Sequence, residues 1–274
     1  MAERLISRGV VRLAVEVQGE GLPVVLLHGL TATRRYVVMG SRLLERSGHR
    51  VITYDARGHG RSSPAERPDA YEYRDLVGDL EAVMDALGVE RAVLAGASMG
   101  AHTALALALR APQRVAALVV ITPAYAPDEH DDPARLARWD ALAEGLRQGG
   151  VEGFVRAYGE PRTAPAYRET VLKVIRQRLA LHEHPEAVAD ALRVVPRSRP
   201  FGALEELRAI EMPTLVVASN DAADPGHPQA LGERYAQLIP GARLILDQPG
   251  HSPIAWQGSQ LSRLIAEVAG RASL

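Results

Sequence analysis

Ser98 lies at the centre of Gly96-Ala97-Ser98-Met99-Gly100, where small residues flank a hydroxyl-bearing side chain. A serine in a tight strand-to-helix turn of this kind can expose its hydroxyl as a nucleophile. Because a serine hydroxyl is a weak nucleophile, a neighbouring base must take its proton during attack. The same pattern also arises by chance, and a serine before a helix can simply be its N-cap. The choice between these interpretations depends on the surrounding elements.

Short apolar runs typical of strands buried on both faces alternate with helical patterns along most of the chain. The apolar runs are 23–29, 49–55, 91–97, 114–122, 213–219 and 242–247, and the helical patterns are 34–47, 72–87, 100–110, 228–238 and 257–269. The alternation predicts an α/β fold with a mostly parallel, doubly wound sheet. Residues 10–17 alternate apolar and polar side chains, which predicts an antiparallel strand at the edge of that sheet.

Residues 126–212 interrupt this alternation, because helical patterns punctuated by proline and glycine replace the strands. An all-helical insertion between two strands is typical of a cap over the carboxyl ends of a sheet. We therefore predict a core formed by residues 1–125 and 213–274, with 126–212 as a helical cap or lid.

Ser98 is one of several polar side chains that fall at strand ends. His28, Asp55 and Asp221 also follow predicted strands, and His251 follows the last of them by a short loop. Ligands of open α/β sheets bind outside the carboxyl ends of the strands. This clustering favours the nucleophile interpretation of Ser98 over a chance serine.

Five motifs, taken in order, resemble those of the α/β-hydrolase family. They are LLHGL at 26–30, YDARGHGRS at 54–62, GASMG at 96–100, PTLVVASND at 213–221 and PGHSP at 249–253. The resemblance implies the α/β-hydrolase fold and a catalytic triad in the family's chain order of Ser98, Asp221 and His251. In that triad His251 is the base and the aspartate orients its imidazole. The resemblance also implies an oxyanion hole formed by the backbone N–H groups of Leu30 and Met99.

Three aspartates are candidates for the acid. Asp221, with Pro225 four residues later, matches the family's register, and Asp224 is the runner-up. An acid after an earlier strand, such as Asp128, is the third candidate.

Other histidines and charged residues are interpreted as structural. His28 and the charged glycine turn at 55–61 are expected to satisfy nearby backbone groups rather than to act as bases. His182 and His184 are two residues apart, so on a helix they point to different faces, and we predict no metal site there.

A serine nucleophile predicts acyl transfer to water, with a carboxylic ester, lactone or thioester as the substrate. The resemblance also allows a carbon–carbon bond hydrolase or a cofactor-free perhydrolase. A hypothesis of another class is a non-catalytic ligand-binding protein that has kept the fold. The cap is rich in aliphatic residues, which predicts a small-to-medium apolar substrate.

The composition of the chain bears on its binding partners and its cellular location. The chain has 274 residues, no cysteine and a net charge of −1, which excludes disulfides and gives no field that attracts nucleic acid or an anionic membrane. The first residues lack the apolar core of a signal peptide, and the lack of cysteine fits the cytoplasm. We expect a cytoplasmic enzyme for a small molecule, with no cofactor, metal, nucleic-acid or membrane partner. The sequence does not predict its oligomeric state.

Overall fold

The computed structural model describes residues 3–220, 226–246 and 258–272, and the candidates Asp221, Asp224 and His251 lie outside these ranges. Within the described ranges, eight strands form one sheet. They are β1 (Arg4–Arg8), β2 (Val11–Gln18), β3 (Leu22–Leu27), β4 (His49–Tyr54), β5 (Ala92–Ala97), β6 (Val115–Ile121), β7 (Thr214–Ala218) and β8 (Arg243–Leu246).

The sheet has the strand order β1-β2-β4-β3-β5-β6-β7-β8. β2 pairs antiparallel with β1 and β4, and every pairing from β4 to β8 is parallel. This arrangement confirms the mostly parallel sheet that the alternation of strands and helices predicts.

Eight α-helices accompany the sheet within the described residues. They are α1 (Leu43–Arg46), α2 (Tyr73–Ala86), α3 (Met99–Arg110), α4 (Pro133–Tyr158), α5 (Pro165–Leu179), α6 (Pro185–Val194), α7 (Gln229–Leu238) and α8 (Gly258–Ala269). α4 bends at Gly149 and Gly150, whose backbone angles are not helical. None of the described helices is long and apolar enough to cross a membrane.

The central strands are buried on both faces. All side chains of β6 and β7 are buried. On one face Leu80 of α2 and Leu105 of α3 pack with Leu118 of β6, and on the other Val119 packs with Ile265 of α8. Because helices cover both faces, the strands consist of nearly continuous apolar residues rather than alternating ones.

Two details differ from the sequence-based expectation. β2 is antiparallel as predicted, but β1 lies outside it, so β2 is not the edge strand. The helix predicted at 34–47 is reduced to a 3₁₀ turn at Arg34–Tyr36 and to α1, because Met39 and Gly40 between them adopt positive φ angles of 47° and 74°.

Helices are the regular elements of the stretch from β6 to β7. Residues 122–213 are all described, and they contain α4, α5, α6 and two 3₁₀ turns but no strand. Many of their apolar side chains, including Leu142, Leu146 and Val188, belong to one buried apolar cluster. The same cluster contains Leu30 and Met99, so the helical stretch packs directly on two residues of the candidate site.

Candidate active site

Ser98 occupies a strained turn between β5 and α3. Its φ and ψ angles are 50° and −113°, a conformation that an L-residue adopts only when its surroundings impose it. Its backbone N–H donates to the carbonyl of Ile121 at 2.9 Å, and its carbonyl accepts from the N–H of His102 at 3.0 Å. These bonds hold the turn in place. The structure therefore has, at Ser98, the tight strand-to-helix turn that the sequence predicts.

Two glycines make this turn possible. A Cβ on Gly96 would lie 2.3 Å from the carbonyl group of Gly100, and one on Gly100 would lie 2.2 Å from the carbonyl oxygen of Leu27. Real Cβ atoms do not approach so closely, so larger residues at either position would push α3 away from the sheet. Close packing therefore requires the small residues that flank Ser98 in the sequence.

An imidazole contacts the Ser98 hydroxyl. Nε2 of His227 lies 2.8 Å from Oγ of Ser98, within hydrogen-bonding distance. His227 is half-buried in the segment that leads from β7 to α7. Sequence reasoning missed this residue because it belongs to none of the five motifs. Its position after the carboxyl end of a parallel strand was the available signal.

Of the remaining candidates for the acid and the base of the triad, the structure describes Asp128 alone. Asp221, Asp224 and His251 lie outside the described residues, after the ends of β7 and β8 in the sequence. Asp128 is described: its carboxylate is at the surface, 60% exposed, and pairs with Arg234 at 3.4 Å. An exposed carboxylate held by an arginine is a poor partner for a catalytic imidazole, so the structure counts against Asp128.

The loop that follows β3 lies against Ser98. A Cβ on Gly29 would be 3.6 Å from Cβ of Ser98. The loop makes a tight turn in which the N–H of Ala32 donates to the carbonyl of Gly29 at 3.0 Å. The side chains of Leu30 and Met99 are both buried. The two residues predicted to supply the oxyanion hole thus come from neighbouring segments, Leu30 from the loop after β3 and Met99 from the start of α3.

His28 is bound to the backbone through both ring nitrogens. The N–H of Ala56 donates to Nε2 at 2.9 Å, so the proton lies on Nδ1, which donates to the carbonyl of Gly29 at 2.8 Å. Burial, together with the neighbouring charges of His59 and Arg34, lowers the pKa of His28 to about 3. His28 is therefore neutral near pH 7 and structural, as the sequence predicts.

The charged turn at 55–61 is also structural. The buried carboxylate of Asp55 accepts from the N–H of Arg34 at 2.8 Å and from that of Arg61 at 3.1 Å, and it pairs with the Arg34 guanidinium. Arg57 and Asp79 form a second buried pair through two bonds of 2.7 Å. These charged side chains therefore bond to one another and to nearby backbone groups, and they hold the turn beside the β3 loop.

Fold and sequence together assign the family. A family model described as alpha/beta hydrolase fold matches residues 23–257, most of the chain. The chain belongs to the α/β-hydrolase family, as its motifs and its eight-stranded sheet predict.

The chain is similar over nearly its whole length to several family members. A Variovorax paradoxus protein, provisionally named a carbamate hydrolase, RutD, is 30% identical over 95% of this chain and 97% of its own. A thermophilic esterase from Thermogutta terrifontis has a TM-score of 0.79 and 29% identity, with 97% of each chain covered. The enol-lactonase from Burkholderia xenovorans LB400 has a TM-score of 0.71 and 26% identity, again over 97% of each chain. These similarities support a hydrolase.

Proposed function

We propose that this protein is a serine hydrolase that cleaves a carboxylic ester, lactone or thioester through an acyl-enzyme intermediate on Ser98. The observation that carries the proposal is the Ser98 turn itself, strained at φ 50° between β5 and α3. Strain of this kind is maintained where function requires it. The similarity to an esterase and an enol-lactonase supports a carbonyl substrate.

In the proposed mechanism, Oγ of Ser98 attacks the substrate carbonyl while His251 takes its proton. Asp221 orients the imidazole and stabilises its charged form. The N–H groups of Leu30 and Met99 stabilise the oxyanion of the tetrahedral intermediate. His251 then returns the proton to the leaving alcohol, and a water molecule, activated by the same base, releases the acid and restores Ser98.

His227 is the second candidate for the base, because its Nε2 lies 2.8 Å from the Ser98 hydroxyl. We prefer His251 as the base because, in the chain order of the family's triad, the histidine follows the last strand of the sheet. His227 instead follows β7, the strand after which the family carries its acid. Substitution of each histidine separates the two assignments.

The substrate is proposed to be small to medium in size and apolar. The apolar cluster that joins the helical stretch to the site contains Leu30, Met99, Leu146 and Leu192. A site lined by aliphatic side chains favours a substrate with an apolar acyl or alkyl group. A small number of polar groups of the protein would then fix the orientation of that substrate. Residues 126–212 then serve as the cap that sets specificity.

A substrate panel tests the reaction class. We expect p-nitrophenyl esters of short and medium acyl chains, or lactones, to give the highest kcat/KM, ahead of thioesters. Preferred turnover of a vinylogous diketone would favour a carbon–carbon bond hydrolase, and peroxide-dependent peracid formation would favour a perhydrolase. Tight, saturable ligand binding without turnover of any member would favour the non-catalytic hypothesis.

The acid is tested by matched amide substitutions. We expect Asp221→Asn to lower kcat by about 10³–10⁴-fold, because the imidazole then loses the partner that selects its tautomer. Asp224→Asn, three residues later in the same segment, is expected to change kcat by less than about tenfold. Kinetics of both variants, with circular dichroism as the check on folding, decide the assignment. The opposite ranking would make Asp224 the acid.

A further inference from the structure

Three buried imidazoles face three consecutive carbonyl groups of the β3 loop. Nδ1 of His28 lies 2.8 Å from the carbonyl oxygen of Gly29, and Nε2 of His59 lies 2.7 Å from that of Leu30. Nε2 of His182 lies 3.3 Å from the carbonyl oxygen of Thr31. The three rings are neighbours, with centroid distances of 5.2 Å between His28 and His59 and 5.5 Å between His59 and His182.

These imidazoles come from different parts of the chain. His28 follows β3, His59 lies in the charged turn after β4, and His182 follows α5 in the helical stretch. The loop that carries the proposed oxyanion donor Leu30 is thus held by the sheet on one side and by the helical stretch on the other.

The tautomer of His182 is set by its second contact. The N–H of Gly60 donates to Nδ1 at 2.9 Å, so the ring proton lies on Nε2 and is directed to the carbonyl of Thr31. Burial, with His59 nearby, lowers the pKa of His182 to about 3. The ring is therefore neutral near pH 7, with one acceptor and one donor.

His59 differs from its two neighbours because both of its nitrogens face carbonyl oxygens, Leu30 at 2.7 Å and Arg57 at 2.9 Å. Burial lowers the pKa of His59, so the ring is neutral and donates to one of them at a time. His28 and His182 have defined tautomers, which makes His182 the clearer test of the cluster.

Peptide geometry connects His182 to the oxyanion donor. In a trans peptide the C=O and the following N–H point in opposite directions. A hydrogen bond to the Thr31 carbonyl therefore orients the N–H of Ala32, which donates to the carbonyl of Gly29 at 3.0 Å. The Gly29 carbonyl belongs to the same peptide as the N–H of Leu30. A contact from the helical stretch thus helps to orient the Leu30 N–H in two steps, in addition to the direct bond from Nδ1 of His28 to the Gly29 carbonyl.

Further contacts attach the same segment to the loop. Nη2 of Arg178 donates to Oγ1 of Thr31 at 2.8 Å, and the N–H of Glu183 donates to the carbonyl of Gly60 at 2.9 Å. Arg178 also lies over the ring of Tyr36, at 6.0 Å from its centroid. The segment at the end of α5 is therefore attached to the β3 loop through Thr31 and to the charged turn through Gly60, on either side of the His182 contacts in the sequence.

We propose that His182 is a positioning residue for the oxyanion hole, acting through its hydrogen bond to the Thr31 carbonyl. The proposal rests on the proposed function, since it needs Leu30 to stabilise an oxyanion. It makes the catalytic geometry depend on a residue of the helical stretch that touches neither Ser98 nor the substrate.

Two substitutions at His182 separate the donor from the acceptor. In His182→Gln the amide nitrogen can take the place of Nε2 and still donate to Thr31. In His182→Asn the shorter side chain can accept from Gly60, as Nδ1 does, but cannot reach Thr31. His184→Gln is the matched control, because His184 is more exposed and its Nδ1 lies 3.6 Å from a carboxylate oxygen of Glu186.

The measurements are kcat and KM for the preferred ester, the affinity for a trifluoromethyl ketone analogue of the tetrahedral intermediate, and the melting temperature. We expect His182→Asn to lower kcat and analogue affinity together by about 10–100-fold with KM little changed, because the loss affects the transition state. The kcat of His182→Gln should be about tenfold higher than that of His182→Asn, and the kcat of His184→Gln should match that of the wild type.

Equal kcat in folded His182→Asn and wild type, or equal losses in the Asn and Gln variants, would overturn the positioning role and leave only a structural contact. A wild type inactive on every ester, lactone and thioester would instead refute the proposed function, and this role with it. The ¹⁵N resonances of the His182 ring report its tautomer independently of activity. A proton on Nδ1 would contradict the inferred contact directly.

Discussion

Replacement of Ser98 by alanine is expected to lower kcat for ester hydrolysis by about 10⁴–10⁶-fold, with KM little changed. In the proposed mechanism Ser98 supplies the attacking oxygen, so no acyl-enzyme can form without it. Backbone donors that stabilise the oxyanion remain in the variant, so a residual rate above that of water should persist. Steady-state kinetics with the best ester of the panel measures the loss.

The fold should survive this substitution. Alanine has the Cβ of serine, and the bonds that hold the turn are made by the Ser98 backbone with Ile121 and His102. Ser7→Ala is a suitable control, because Ser7 is exposed on β1 at the edge of the sheet. Retention of more than about a tenth of the wild-type kcat in a folded Ser98→Ala protein would show that another group attacks the substrate.

Glutamine substitutions at His251 and His227 are expected to have unequal effects. His251→Gln should lower kcat by about 10⁴-fold or more, since a triad without its base loses nearly all of its nucleophilic catalysis. His227→Gln should lower kcat by less than about tenfold, because it removes one hydrogen bond to Ser98, worth about 0.5–1.5 kcal/mol. Kinetics of the two variants and of the double variant test this expectation.

The double variant distinguishes a shared role from separate roles. If His251 alone is the base, the double variant should fall below His251→Gln only by the factor of less than about tenfold seen in His227→Gln, because independent contributions add in free energy. If the two histidines act as a unit, the double variant and His251→Gln should have nearly the same kcat. A loss of about 10⁴-fold in His227→Gln, with His251→Gln nearly active, would assign the base to His227. In that case the 2.8 Å contact with Ser98 is the catalytic hydrogen bond.

Much of the site's framework could be predicted from the sequence. The turn at Ser98 follows from an apolar run before it, an apolar helix after it and glycines where a Cβ would collide with neighbouring backbone. Buried parallel strands have a strong sequence signal because both of their faces must be apolar. The structural roles of His28 and Asp55 were predictable for a related reason, since charged glycine turns bind their own backbone.

Contacts between distant segments could not be predicted in the same way. The bond from Gly60 to His182 joins residues 122 positions apart, and no periodic pattern records such a pairing. β1 was missed because Arg4 and Arg8 at its ends give it no apolar alternation of the usual length. The 34–47 helix was overestimated because apolar spacing does not show that Met39 and Gly40 adopt positive φ.

Covalent labelling tests the role of Ser98 most directly. The wild-type protein is treated with a fluorophosphonate, which phosphorylates an activated serine, and the modified residue is located by mass spectrometry of its peptides. We predict one adduct per chain, on Ser98, formed in step with the loss of esterase activity and absent from Ser98→Ala. Labelling of a different residue in step with inactivation, or full inactivation of ester hydrolysis with Ser98 unmodified, would contradict the assignment of Ser98 as the nucleophile.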